Sequence, residues 1–233
     1  MKDWNFPILG ASIIIAATIF GAFHYNSRAV PRTITTVGSA SHRFVSDIVK
    51  WQVSVVQNTG MQNLTQGYAQ LRGDITGVID DLVARGIARE AISIQPLNTN
   101  PIYEPQGITG YRIQQSLTVV SDSLTLIETV ALNPDTIAQR GILIEYSTLQ
   151  YYYSKVDSLK VELLGAATED AKRRAQEIAS TSGIGVGPIQ SARAGVFQIT
   201  EPYSTDVEAG GIYNTASREK DIRVTVHATF DMD

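Results

Sequence analysis

Apolar and polar positions alternate with period two over Val49–Val56, with Val49, Trp51, Val53 and Val55 on one face and Lys50, Gln52 and Ser54 on the other. That alternation predicts a half-buried antiparallel strand. The same period runs from Asp221 to Phe230, where Ile222, Val224, Val226, Ala228 and Phe230 share a face, and again over Tyr111–Val120. Further strands are predicted over Thr33–Ala40, over Ala91–Asn98 and over a Tyr-heavy stretch, Ile142–Tyr153. A last one spans Ile189–Ile199, interrupted around Ala194-Gly195. Pro101, Pro105 and Gly107 predict a proline-rich hairpin tip before Tyr111.

Helical spacing takes over in three places. Leu64, Tyr68, Leu71, Ile75, Val78, Ile79 and Leu82 make one stripe within Gln62–Arg85, weakened by Gly67, Gly73 and Gly77 and closed by Gly86. Ser123–Leu132 is a shorter helix facing inward through Leu124, Ile127, Val130 and Ala131. Lys155–Ala179 carries Val156, Leu159, Leu163, Ala167, Ala171, Ala175 and Ile178 on one side, and its alanines permit close approach to a sheet. Gly183-Ile184-Gly185-Val186-Gly187-Pro188 stops it. The predicted fold is α+β: a mostly antiparallel sheet with about three helices packed on it, plus an N-terminal membrane-anchor helix.

That anchor is read from Phe6–Phe23, eighteen residues without a charge. At 1.5 Å per residue they span about 27 Å, against a hydrocarbon core of about 30 Å. Trp4 and Tyr25 bracket the run as interfacial aromatics do. An uncleaved signal anchor is the preferred reading, ahead of a signal peptide cleaved near Ser27-Arg28-Ala29 and of a soluble helix. Arg28 and Arg32 after the span would hold the body in the cytoplasm by the positive-inside rule. The bias is small, and an anchor ahead of one long domain ordinarily exports it. The expected place is therefore a bacterial inner membrane, single-pass through residues 6–23, with the body in the periplasm, or a secreted or periplasmic body if the segment is cleaved. Residues 1–31 form the anchor or signal with its tether, and residues 32–233 the folded domain.

Composition narrows the chemistry. The chain has 233 residues, no cysteine and a net charge of -4. Disulfides, thiolate metal sites and cysteine nucleophiles are excluded. A mildly acidic body gives no reason to expect a nucleic-acid partner.

Several local patterns, in their order, carry a resemblance. They are Val37-Gly38-Ser39-Ala40 followed by the strand through Trp51 and Val53, Gly86-Ile87 with the strand after it, and Gly110-Tyr111-Arg112. The alanine-rich stretch Ala166–Ala179, the exit through Gly183 and Gly185 and the Val-rich last strand complete the set. Over Thr33–Asp233 the chain resembles the SIMPL-domain (DUF541) family of largely bacterial exported proteins. The tyrosines at 151–153 and the glycine-interrupted first helix of the body depart from the pattern. The resemblance implies an exported or membrane-anchored interaction module without agreed catalytic residues. Some members are associated with self-assembly or oxidative-stress tolerance. No residue role carries over.

Few residues of the chain point to chemistry of their own. His24, His42 and His227 are the only histidines, and no HxH or HExxH spacing occurs. No metal or cofactor site is expected. A triad using His42 or His227 would lack a GxSxG serine, so an unrecognised hydrolase ranks last. The Gly183–Gly187 run follows a helix, whereas a phosphate cradle precedes one. Glu169 with Arg173 and Asp170 with Arg174 are i,i+4 pairs on a solvated face. The Asn63-Leu64-Thr65 sequon matters only in a eukaryotic secretory pathway.

Tyr146, Tyr151, Tyr152 and Tyr153 are the candidate interface, because aromatics gather at interface centres and alternation sends them to both faces; ordinary packing, which ranks ahead of it, and a ligand platform are the other readings. The leading expectation is a non-enzymatic module that forms a homo-oligomer or binds an unidentified protein partner. The alternative is a periplasmic small-molecule binder using tyrosines around the hairpin and the 201–216 loop.

Overall fold

A computed structural model describes residues 5–27 and 32–233, with the side chains of the first helix described over residues 9–24. The described chain falls into two compact units. The larger comprises Ser39–Ala166 with Gly195–Thr225, and the smaller comprises the N-terminal segment to Gly38, Ala167–Ala194 and Val226–Asp233.

In the larger unit, β2 (Ile48–Gly60) is the spine of an antiparallel sheet. It pairs on one side with β5 (Gly107–Ser121) and on the other with β6 (Leu143–Tyr152). Two shorter strands, β3 (Ile92–Ile94) and β4 (Asn98–Glu104), pair with the far side of β5. The alternation of β2 works as expected: Val49, Trp51, Val53 and Val55 are buried. Over them lie Leu71, Ile75, Val78, Ile79 and Leu82 of α2 (Leu64–Ala84), with Leu124, Ile127 and Val130 of α3 (Leu124–Leu132). At about 1.5–3 kcal/mol per buried aliphatic side chain, this one face supplies most of the unit's cohesion. The Trp51 indole donates to Ser147 Oγ at 2.9 Å, so its one polar atom is satisfied in the core. The opposite face carries Gln52, Ser54, Ser116, Thr118 and Thr148, a polar band.

The same unit holds the first part of α5 (Val156–Ser180) and a second set of strands. There β8 (Gln198–Thr200) pairs antiparallel with Asp221–Arg223 of β10 (Glu219–Met232) and parallel with β9 (Ile212–Tyr213).

In the smaller unit, Val226–Met232 of β10 pairs antiparallel with β7 (Val186–Ala194). Beside β10 runs the start of β1 (Thr33–Val45). The predicted alanine stripe is the contact surface: Ala167, Ala171, Ala175 and Ala179 of α5 are buried. A Cβ on Gly38 would lie 2.1 Å from the Ala167 carbonyl oxygen and 2.3 Å from the Ala171 nitrogen. Only glycine lets strand and helix backbones meet this closely. Thr36 Oγ1 donates to the Ala171 carbonyl at 2.7 Å across the same contact. At the end of α5 the Ile184 amide closes onto the Ala179 carbonyl at 3.2 Å, so the glycine run is a helix exit, as read from the sequence.

Four readings need correction. The proline-rich hairpin tip is mostly strand: β4 includes Pro101, and the turn shrinks to Pro105-Gln106. Among the described residues β4 pairs with β5 alone, which makes it an edge strand, where proline is tolerated. The loop 201–216 contains β9, and Met61–Asn63 is a 3-10 turn ahead of α2. The body also has one more helix than the three expected, the short α4 (Asp135–Ala138), while α1 (Asn5–Ser27) is the helix expected at the N-terminus. Apart from these corrections, among the described residues no helix is long and apolar enough to cross a membrane, and the anchor read from residues 6–23 is not confirmed by the fold. The tether residues Val30-Pro31, the proposed cleavage point, Trp4 and the side chain of Tyr25 lie outside the description.

Candidate functional site

Three chain turns of the larger unit meet around an open groove of about 750 Å³. The first is the two-residue link Ser46-Asp47 between β1 and β2. The second is Asp122-Ser123, leading into the first turn of α3, and the third is Arg218, just before β10. Backbone bonds fix them together: the Ser46 amide donates to the Arg218 carbonyl at 2.9 Å, and the Asp47 amide to the Tyr152 carbonyl at 3.0 Å. Asn214 holds the third turn in shape, its Oδ1 accepting from the Ala216 and Ser217 amides.

Charge in the groove is mixed. The Asp47 carboxylate accepts from the Ser154 amide at 2.7 Å and the Ser154 hydroxyl at 2.5 Å. Burial pushes its pKa up, but those bonds, its own amide and Lys155 outweigh burial, and the carboxyl sits below the ordinary aspartate value. Arg218 Nη1 lies 3.2 Å from Glu128 Oε2. The Ser46 hydroxyl, buried at the groove, has no hydrogen-bond partner among the described residues.

Behind Arg218 stands the least expected residue of the chain. Lys220 is 0 % exposed, in register with Ile222 and Val224 on the inward face of β10. Its ammonium donates to the Ser217 carbonyl and lies 5.8 Å from the Tyr151 ring centroid. Burial pushes its pKa down to about 8. Tyr151 is itself pushed up to about 12, by burial first and then by the neighbouring Glu128 carboxylate. Perturbed groups gathered at a cleft mark a candidate functional site. This set is suited to binding a polar or charged group through Arg218 and the Ser and Thr hydroxyls. Among the described residues no group of His, Asp and Glu is placed to hold a metal ion. His42 and His227 are both exposed and on different strands.

With that geometry in view, the comparison with known families is specific. The family model described as SIMPL, protein of unknown function (DUF541), matches residues 34–230. The chain belongs to the SIMPL family. The match begins in β1 and ends in β10, so the SIMPL domain contains the whole groove and leaves α1 outside. No curated protein matches the chain.

The SIMPL domain separates the four candidate tyrosines. Tyr151 points into the core beneath α3. Tyr146, opposite Ser54 and 53 % exposed, lies on the polar face of β6. Tyr152 packs its ring 6.2 Å from Tyr213, and Tyr153, just past the strand, lies 4.9 Å from Phe44. Sequence reading missed Lys220, Arg218 and Ser46. The signal for Lys220 was present: carrying the alternation of β10 back two residues from Ile222 puts a lysine on the buried face. Ser46 and Arg218 offered none, because their proximity is purely tertiary.

Proposed function

We propose that this SIMPL protein is a non-enzymatic, membrane-anchored, extracytoplasmic module that assembles with itself or with a protein partner. One observation carries the reading: α1 is apolar, yet its described side chains face outward, from Ile15 at 59 % exposure to Phe23 at 73 %. An apolar helix that buries nothing of its own needs a cover. The 23 residues of α1 span about 35 Å. The described side chains alone make too short a run for a bilayer, whereas the sequence continues it without charge from Phe6 to Phe23. A bacterial inner membrane, with the domain in the periplasm, is the cover that suits this length.

Fractionation tests the anchor. The intact chain should stay with membranes through alkaline carbonate extraction, and its domain should be cut by protease added to spheroplasts. Recovery of the full chain in the cytosol overturns the reading. Light scattering on the full chain in detergent tests assembly: a defined multiple of the protomer mass supports it, and a monomer at every concentration removes it. If a multimer forms, Tyr146→Ala tests the exposed tyrosine. A link to oxidative-stress tolerance rests on the family resemblance, and peroxide challenge of a deletion strain checks it.

A second reading, small-molecule binding, is favoured by the groove at Ser46, Asp47 and Arg218 rather than by the tyrosines. Ligand-dependent stabilisation in a thermal-shift screen, lost in Arg218→Ala, supports it.

A further inference from the structure

The larger unit has a second depression, chemically unlike the first. Where β2 ends and α2 begins, a cleft of about 230 Å³ is lined by Gln57, Asn58, Thr59, Asn63, Gln66 and Gln70 with two glycines. No lining residue is charged, and almost no apolar side chain faces it. The stretch from Gln57 to Gln70 contains six side-chain amides and not one Asp, Glu, Lys or Arg. Asn63, Gln66 and Gln70 follow one another at i, i+3 and i+7 and so share a side of the helix start. Among the described residues their amides make no hydrogen bond within the protein, whereas Gln57 Nε2 donates to the Asn58 carbonyl at 3.2 Å and Thr59 Oγ1 to the Asn63 carbonyl at 3.1 Å. Two close backbone approaches shape the walls. A Cβ on Gly67 would meet Ile113 Cδ1 at 2.7 Å, and one on Gly110 would meet the Thr59 carbonyl at 2.4 Å.

We propose that this cleft binds a neutral saccharide, one sugar residue at a time, through its side-chain amides. Each primary amide both donates and accepts, which matches vicinal hydroxyls that do the same. The uncharged lining gives phosphate, carboxylate or ammonium ligands no counter-charge. A peptide would bring side chains that need apolar pockets, and the cleft has none. Its volume lies below the roughly 300 Å³ at which pockets for drug-sized ligands begin, so a single ring of a longer chain is the appropriate occupant. This site is separate from the groove at Arg218 and independent of the anchoring and assembly reading.

The test uses the full chain in a sugar-free zwitterionic detergent, titrated with N-acetylglucosamine and its trisaccharide, a glucose trisaccharide, and tetraglycine. Side-chain amide resonances are followed by NMR. The expected result is saturable shifts of the Asn63, Gln66 and Gln70 amides by one of the saccharides, with millimolar dissociation constants unchanged by added salt. Gln66→Leu combined with Gln70→Leu should weaken binding at least tenfold with an unaltered melting temperature. Gln70→Glu, which keeps the size but removes the donors, should weaken it as well. No saccharide shift up to tens of millimolar overturns the proposal. So does salt-sensitive binding, binding unaffected by these variants, or tetraglycine binding in place of sugar.

Discussion

The two depressions of the larger unit are built from opposite materials. The groove at Ser46, Asp47 and Arg218 collects charges, and its neighbours Lys220 and Tyr151 have displaced pKa values. The cleft at Gln57–Gln70 contains no titratable group. One surface of the SIMPL domain should therefore respond to pH and salt and the other to neither. The difference lies in the ionisable groups: burial shifts Lys220 and Tyr151, hydrogen bonds from Ser154 lower Asp47, and the cleft lining has no group that either could act on.

The largest expected effect attacks the walls of the cleft. Gly110→Ala pushes a Cβ into the Thr59 carbonyl, and should destabilise the protein by about 2–3 kcal/mol in chemical denaturation, because neither backbone can yield cheaply. Lys220→Met works in the other direction. It replaces a buried ammonium by an apolar chain of similar length and should stabilise by about 1–3 kcal/mol.

The pH dependence of Lys220 has a definite sign. Its folded pKa, about 8, lies below the ordinary 10.5, so between those values the unfolded chain binds more protons. The Lys220 contribution to stability should thus rise with pH from about 8 to about 10.5, by at most about 3 kcal/mol, and be level below. Urea midpoints should slope upward from about pH 8 to about 9.5 in the natural protein and lie flat over that interval in Lys220→Met, before the raised Tyr151 turns both curves down. A slope unchanged by the substitution would assign the effect to another group.

A smaller change is expected at the rim of the groove. Asp47→Asn weakens two charge-assisted bonds from Ser154 and should cost about 1–2 kcal/mol at neutral pH. The Asp47 carboxyl is depressed in the folded state, so its contribution is present above the ordinary carboxylate pKa and fades as pH falls through the lowered value. The difference between natural and variant midpoints should accordingly shrink in acid. Least affected is the cleft surface itself: Gln66→Leu with Gln70→Leu should move stability by less than about 0.5 kcal/mol at any pH. A larger or pH-dependent change there would break the contrast between the two depressions.

Much of the fold was legible along the chain. Period-two alternation placed β2, β5 and β10, and the alanine stripe of α5 announced the close packing that Thr36 and Gly38 complete. These signals survive in sequence because burial repeats with the geometry of the element. What escaped was non-periodic. Pro101 suggested a tip, but an edge position made it harmless, and edge or centre is a property of the sheet. The tyrosines suggested one cluster, but burial sent Tyr151 inward and left Tyr146 exposed.

By itself the sequence determined the α+β class, the inward faces of the long elements, the lack of thiol chemistry and the uncharged run from Gln57 to Gln70. Only the tertiary structure decided that Ser46, Asp122 and Arg218, far apart along the chain, line one groove, and that Lys220, two residues past Arg218, is fully buried. The reason is physical: periodic burial is written locally, residue by residue, while a site is a meeting of turns whose positions depend on how whole strands pair.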